Sequence, residues 1–193
     1  MKLTLPINSL PLVHNPAEGI TVVPHQSNVG DVNSTARGSG ARFNAGKAPI
    51  ELIPLRIIAE HRIAYGGHSP ETDTLLALAK FQEGGTAADL LDAIGSIGPA
   101  WTECAAVFDY GRKKYAEWNW AKGMNWSIPV ACAARHLIFG LMAGEDVDPE
   151  SGLPHRGHFL CNIVMLLTFI RTYPEGDDRP SKWLNAQGLE KPL

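Results

Sequence analysis

Between Gly144 and Asn162 the chain runs GEDVDPESGLPHRGHFLCN, and its residue types there are suited to chemistry. Glu145, Asp146, Asp148 and Glu150 set four carboxylates within six residues, and His155, His158 and Asn162 follow. Oxygen-rich clusters of this kind suit a hard divalent cation, Mg²⁺ or Mn²⁺. Glu145, Asp148 and Glu150 are the expected metal ligands. His158 and His155, with His136 upstream, are the expected catalytic histidines, as ligand or general base. A helix opening at Pro154 would place His155, His158 and Asn162 at i, i+3 and i+7, on one face. From Phe159 to Ile170 that helix is otherwise strongly apolar. A polar stripe on a buried helix costs roughly 1–3 kcal/mol per unsatisfied group, so something must satisfy it. The plainer alternative is a solvated acidic loop followed by core histidines bonded to neighbouring backbone.

A second cluster, YGRKKYAEWNWAKGMNW over residues 110–126, interleaves Arg112, Lys113, Lys114 and Lys122 with Trp118, Trp120 and Trp126. Cations beside flat aromatics are what a phosphorylated base needs, charge for the phosphates and a π-face for stacking. Alternating Trp and Lys at a helix end can equally be a core anchor with a solvated rim. A third motif, Arg42-Phe43-Asn44-Ala45-Gly46-Lys47, precedes the first helix and sets Lys47 near a helix start, where an anion would sit. Lys47, Lys113, Lys114, Lys122 and Arg135 are the expected phosphate contacts and Trp120 the expected base contact. Asn119 and Asn162 complete the expected substrate-binding set. Arg135 and His136 are adjacent, so on a helix they point about 100° apart and at most one faces the core squarely.

Composition narrows the function classes. At 193 residues and 45% hydrophobic, the chain can bury one good core. A net charge of −3 argues against bulk binding to duplex nucleic acid or anionic membrane. Cys104, Cys132 and Cys161 are widely spaced, without a CxxC pair, and are expected as buried thiols of a reducing compartment. No segment has the 18 or more apolar residues of a membrane span, and the first residues lack a signal-peptide pattern, so a cytoplasmic location is expected.

The elements that must position these groups are helices. Residues 1–40, rich in Pro and Gly, are expected to form an extended arm that the helical core can do without. A single all-α domain, a compact helical bundle, is expected over 41–175, with 60–102 a helical insertion and 176–193 a loose tail. Helices are expected from Pro49 to Arg62 with a break at Pro54, then Pro70 to Gln82 capped by Ser69. Ala87 to Ile94 follows, capped by Thr86 and ended by Gly95, and then a helix from Pro99 to Tyr115. Ile128 to Met142 should be capped by Ser127, and the last long helix runs from Pro154 to Tyr173. No run alternates with the period of a strand.

Three blocks, RFNAGKAPIELIPL, FDYGRKKYAEWNWAKGMNW and ARHLIFGLMAGEDVDPESGLPHRGHFLCN, together resemble the phage dATP/dGTP diphosphohydrolase family, grouped near the all-α MazG-like pyrophosphohydrolases. The resemblance implies an all-α fold, Mg²⁺ dependence, and cleavage of a purine deoxynucleoside triphosphate to monophosphate and pyrophosphate. It also implies a homo-oligomer, and for a phage-encoded chain the host cytoplasm. Glu145 to Asp148 matches the ExxD element of the MazG-type pattern, whereas no ExxE stands upstream. That departure supports the alternative of a non-catalytic nucleotide or nucleotide-signal binder. His136, His155 and His158 support a third reading, a phosphohydrolase using a transition metal.

Overall fold

A computed structural model describes residues 28–44 and 46–184. Seven α-helices carry the described chain: α1 (Leu55–Gly66), α2 (Pro70–Gln82), α3 (Ala87–Ile97), α4 (Trp101–Tyr115), α5 (Ser127–Arg135), α6 (His155–Thr172) and α7 (Ser181–Leu184). The expected all-α class is what the chain adopts. Strand content among the described residues is one two-residue antiparallel pair, β1 (Asn28–Val29) with β2 (Arg42–Phe43). The helix α6 is the hub. It packs against α3, α4 and α5, while α2 packs against α1, α3 and α5. Its apolar residues Phe159, Ile163, Leu166 and Phe169 are fully buried. They meet Leu75, Leu78 and Phe81 of α2, Leu90 of α3 and Leu137 in one core.

Several boundaries follow from local chemistry. The break at Pro54 is real: a 3-10 turn over Ile50–Leu52 precedes Pro54, which lacks an N–H, and α1 starts at Leu55. Ser69 caps α2 through a reciprocal hydrogen-bond pair with Thr72, as Thr86 caps α3 with Asp89. Gly95 does not end α3, which continues to Ile97 and stops at Gly98 in a positive-φ conformation. A helix-interior glycine costs only about 1 kcal/mol, and the buried Leu90 and Ala93 outweigh it. Ser127 does not cap α5 with its own oxygen. Its N–H and hydroxyl both donate to the Asp178 carboxylate, at 2.8 and 2.6 Å.

Two expectations about the ends are modified. The tail is docked as far as Leu184: Arg179 donates to the carbonyls of Phe81 and Gly85 and lies over the rings of Phe81 and Trp126. Residues 28–40 are also tied down in part. Gly38 and Gly40 donate to the Lys122 and Gly123 carbonyls at 2.7 and 2.8 Å, and Arg37 pairs with Glu175. Residues 1–27 and 185–193 lie outside the described residues. The stretch read as an insertion supplies α2 and α3, whose buried leucines belong to the main core.

The expected helix from Ile128 to Met142 is correct only as far as Arg135. There the chain widens into a π-turn over His136–Gly140 and tightens into a 3-10 turn over Leu141–Ala143 before Gly144. Single π-turns within helices concentrate at functional sites, because the extra residue re-aims a side chain.

Candidate functional site

The π-turn aims His136 at α6. His136 Nδ1 lies 2.9 Å from His155 Nδ1, and the His136 ring stacks on His158 at 4.4 Å between centroids. Gly140 makes this possible: a Cβ there would meet the His155 ring at 2.5 Å. The acidic loop is closed by a bridge between Val147 and Pro154 and by Asp148 accepting a hydrogen bond from the Ser151 N–H. One atom each from His136, Asp148 and His155 lies within 4.8 Å of the other two. Glu145, mostly exposed, stands on the rim with Oε2 3.9 Å from His155 Nε2.

Whether these residues fit a cation is decided by their donor atoms. The Nε2 of His155 is buried without a hydrogen-bond partner among the described residues. Two imidazole nitrogens 2.9 Å apart must share one proton or both present lone pairs to a third body. Cis ligands around an ion with bonds of about 2.1 Å stand about 3.0–3.4 Å apart, so a modest adjustment seats one. Burial, reinforced by the adjacent His158 and His155 charges, pushes His136 down to about 2. Burial likewise pushes His158 down to about 4, against the attraction of Asp148. Both imidazoles are therefore neutral at pH 7, which for His136 is the protonation state a ligand needs. The residues fit.

Around this cluster opens a cavity of about 870 Å³, walled by α4, α5, α6, the acidic loop and the Arg42–Lys47 segment. Arg42, on its wall, donates to the buried Asn162 Oδ1 at 2.8 Å, while Asn162 Nδ2 donates to the His158 carbonyl. The His/His/Asn stripe is thus partnered by Arg42, by its own helix, by Ser151 and by the π-turn histidine His136, except at His155 Nε2. Arg135 donates to the Ala48 carbonyl and to Asn44 Oδ1. Neither guanidinium has a carboxylate partner among the described residues. Burial alone would raise the Cys132 thiol, yet Arg42 and Arg135 hold it below its ordinary value. These two guanidinium groups thus face neutral partners on a wall that also carries the carboxylates of Glu145, Asp148 and Glu150.

The remaining expected residues divide. Glu150 does not join the histidine cluster; it bridges Lys47 at 3.1 Å and Lys114 at 2.5 Å. Hydrogen bonds from Lys114 and Lys47 hold its carboxyl below the usual range. Lys114 also lies over the rings of Phe43, Tyr110 and Tyr115. Lys113 pairs with Asp109 and is not part of the cavity wall. Lys122 donates to the Val32 carbonyl, tying down the N-terminal segment, and also stands outside the wall. Trp120 is half-buried against Phe108 and Phe169, and Asn119 is buried beside it; both line the cavity.

Sequence reasoning passed over two residues. Arg42 sits in the quoted RFNAGK motif, but a single arginine before a glycine turn carries no sign that the chain will fold it inward. Ser151 bridges Asp148 Oδ1 at 3.0 Å and His158 Nε2 at 2.7 Å, an arrangement only the loop's closure creates.

Residues 77–179 match the family described as dATP/dGTP diphosphohydrolase, N-terminal. A 108-residue stretch is 30% identical to a Salmonella phage PMBT28 protein named dATP/dGTP diphosphohydrolase, covering 55% of this chain and 34% of the phage protein. The chain thus spans about a third of the length of that relative. No solved structure matches. Among the described residues no helix is long and apolar enough to cross a membrane. The family match takes in the π-turn histidine, the acidic loop and all of α6, and extends over more than half of the sequence; the chain belongs to the dATP/dGTP diphosphohydrolase, N-terminal, family.

Proposed function

We propose that this chain carries the site of a metal-dependent deoxynucleoside triphosphate diphosphohydrolase. It would cleave a purine substrate, dATP or dGTP, to the monophosphate and pyrophosphate. The observation that carries the reading is the convergence of His136, Asp148 and His155 on one cavity with Arg42, Lys47, Lys114 and Arg135. His136, Asp148 and His155 would hold the cation. Two imidazoles and one carboxylate suit Mn²⁺ or another first-row transition ion better than Mg²⁺, which favours oxygen throughout. When bound, the ion offsets phosphate charge and makes water more acidic.

The chain's own groups do the rest. Arg42 and Arg135, with only neutral partners, supply charge to phosphate oxygens, and Lys47 and Lys114 add to it once Glu150 is displaced by an anion. Ser151 donates to Asp148 and accepts from His158, so His158 orients the carboxylate through Ser151. Glu145, on the rim beside His155, would take the proton of a water attacking the α-phosphorus, as the bond to the bridging oxygen breaks and pyrophosphate leaves.

The test is incubation with each of the four dNTPs and Mn²⁺ or Mg²⁺, monitoring monophosphate and pyrophosphate. Hydrolysis of dATP or dGTP, lost at least a hundredfold in His136→Ala, is expected. Unchanged nucleotide recovered from a tight complex would favour the binding protein instead. Calorimetry with Mn²⁺ alone should show a site that weakens at least tenfold in Asp148→Asn; an undiminished affinity would remove Asp148 from the ligand set.

A further inference from the structure

The segment between α4 and the 3-10 turn at Asn119–Lys122 is the most strained backbone among the described residues. Two non-glycine residues there have positive φ, Ala116 at 116° and Trp118 at 56°. Left-handed backbone is unfavourable for residues with a Cβ, and a bulky tryptophan is a poor choice for it. Glycines stand at positive φ elsewhere in the chain, so the position could have been filled without strain. Nor does Trp118 repay the strain by burial: it is 66% exposed. Its ring lies 6.0 Å from Trp120, tilted by 42°, on the cavity wall. Trp120 is held by Phe108 and Phe169, so of the two indoles Trp118 is the one with a free face.

The next residue supplies a second, independent observation. Asn119 is 2% exposed and lines the same cavity. Its Nδ2 donates to the Ala41 carbonyl at 3.2 Å, which fixes the amide's orientation, because a carbonyl can only accept. Its Oδ1 is then a buried acceptor with no partner among the described residues. Buried acceptors without partners are rare, and this one belongs to a residue of the cavity wall.

We propose that Trp118 and Asn119 form a nucleobase subsite of this cavity, the Trp118 indole stacking on the ring and Asn119 Oδ1 accepting an N–H from the base edge. The proposal rests on the nucleotide reading above and assigns the base contact to Trp118, with Trp120 as its support. Strain is kept at Trp118 because it turns the indole face outward, to where a planar ligand can use it. Stacking tolerates any base, whereas the Asn119 oxygen prefers a base edge that carries an N–H.

Calorimetric titration of the full chain tests this with non-cleavable α,β-methylene analogues of dATP, dGTP and deoxynebularine triphosphate. The last is a purine nucleotide whose ring bears no N–H. Inorganic tripolyphosphate is the fourth probe. The parent should bind the dATP or dGTP analogue at least tenfold tighter than the deoxynebularine analogue. Trp118→Gly should lose about tenfold for nucleotide analogues and nothing for tripolyphosphate, while melting no lower than the parent. Asn119→Ala should erase the preference over the donor-less base. A Trp118→Gly protein that melts early and binds all nucleotides normally would overturn the stacking role. Equal parental affinity for the donor-less analogue would overturn the Asn119 role and needs no variant. Tripolyphosphate binding as tight as nucleotide binding would overturn the subsite and leave the phosphate site standing. Binding of neither would overturn the nucleotide reading itself.

Discussion

Arg42 enters the cavity wall with an asparagine and a methionine sulfur for company and no carboxylate among the described residues. A guanidinium so placed is a burden on folding, since desolvation is offset by neutral partners alone. In the proposed reading, a ligand phosphate offsets that cost. Arg42→Met is therefore expected to melt at or above the parental temperature while losing about 1.5–3 kcal/mol of triphosphate affinity, the worth of a charge-assisted hydrogen bond. An early-melting variant with intact affinity would make Arg42 a structural residue. The histidines make a second prediction at this scale. Burial holds His136 near 2 and His158 near 4, whereas an unfolded histidine protonates near 6.5. The folded state thus binds fewer protons, and this contribution to stability is complete above about pH 6.5 and is lost as pH falls toward 4. Melting of metal-free protein between pH 7.5 and 4.5 should show the decline, with a shallower slope in His158→Gln. A parental slope in that variant would exclude His158 as a source.

The elements explain what could be foreseen. Ser69 and Thr86 announce the starts of α2 and α3 because caps are local chemistry, and Pro154 announces α6 for the same reason. The stripe of His155, His158 and Asn162 was visible because helix periodicity alone puts it on one face, and all three are buried. The π-turn at His136–Gly140 was not visible, because its cause is a contact across space. The extra residue swings His136 toward His155, and Gly140 clears room for that ring. The acidic cluster, similarly, gave carboxylates without saying which would turn inward; loop closure selects Asp148 and leaves Glu150 to two lysines. Gly140→Ala tests the turn directly. Its added methyl meets the His155 ring at 2.5–2.6 Å, so an overpacking cost of about 1–3 kcal/mol is expected, with Mn²⁺ affinity reduced in step. A variant with parental melting and parental Mn²⁺ binding would show that the turn and the histidines are not coupled.

At the scale of the whole molecule, the cavity is completed by chain from outside the helical core. Arg42 and Lys47 precede the region that matches the family, yet both line the cavity with residues of α4, α5 and α6. They are held there by a chain of backbone contacts. β1 pairs with Arg42 and Phe43, Gly38 and Gly40 bond to the Lys122–Gly123 turn, and the Arg37 guanidinium meets Glu175 and lies 5.5 Å from the Tyr173 ring centre. Gly123 sits so close under Tyr173 that a Cβ would meet the ring at 2.5 Å, which lets the turn approach this segment. Among the described residues the core runs from Ile50 through Phe169 and takes in none before Ala41. Shortening the chain from its N-terminus should therefore separate folding from function. A chain starting at residue 28 is expected to keep both its melting temperature and its triphosphate affinity. One starting at residue 41 should keep its helical far-UV signal and cooperative melt, with a midpoint lowered by several degrees, but bind triphosphate at least tenfold more weakly because Arg42 and Lys47 are no longer anchored. If the shorter chain bound as tightly as the longer, the arginine and lysine would be positioned by α4, α5 and the acidic loop, through Tyr115, Arg135 and Glu150, and the N-terminal segment would have no part in the site.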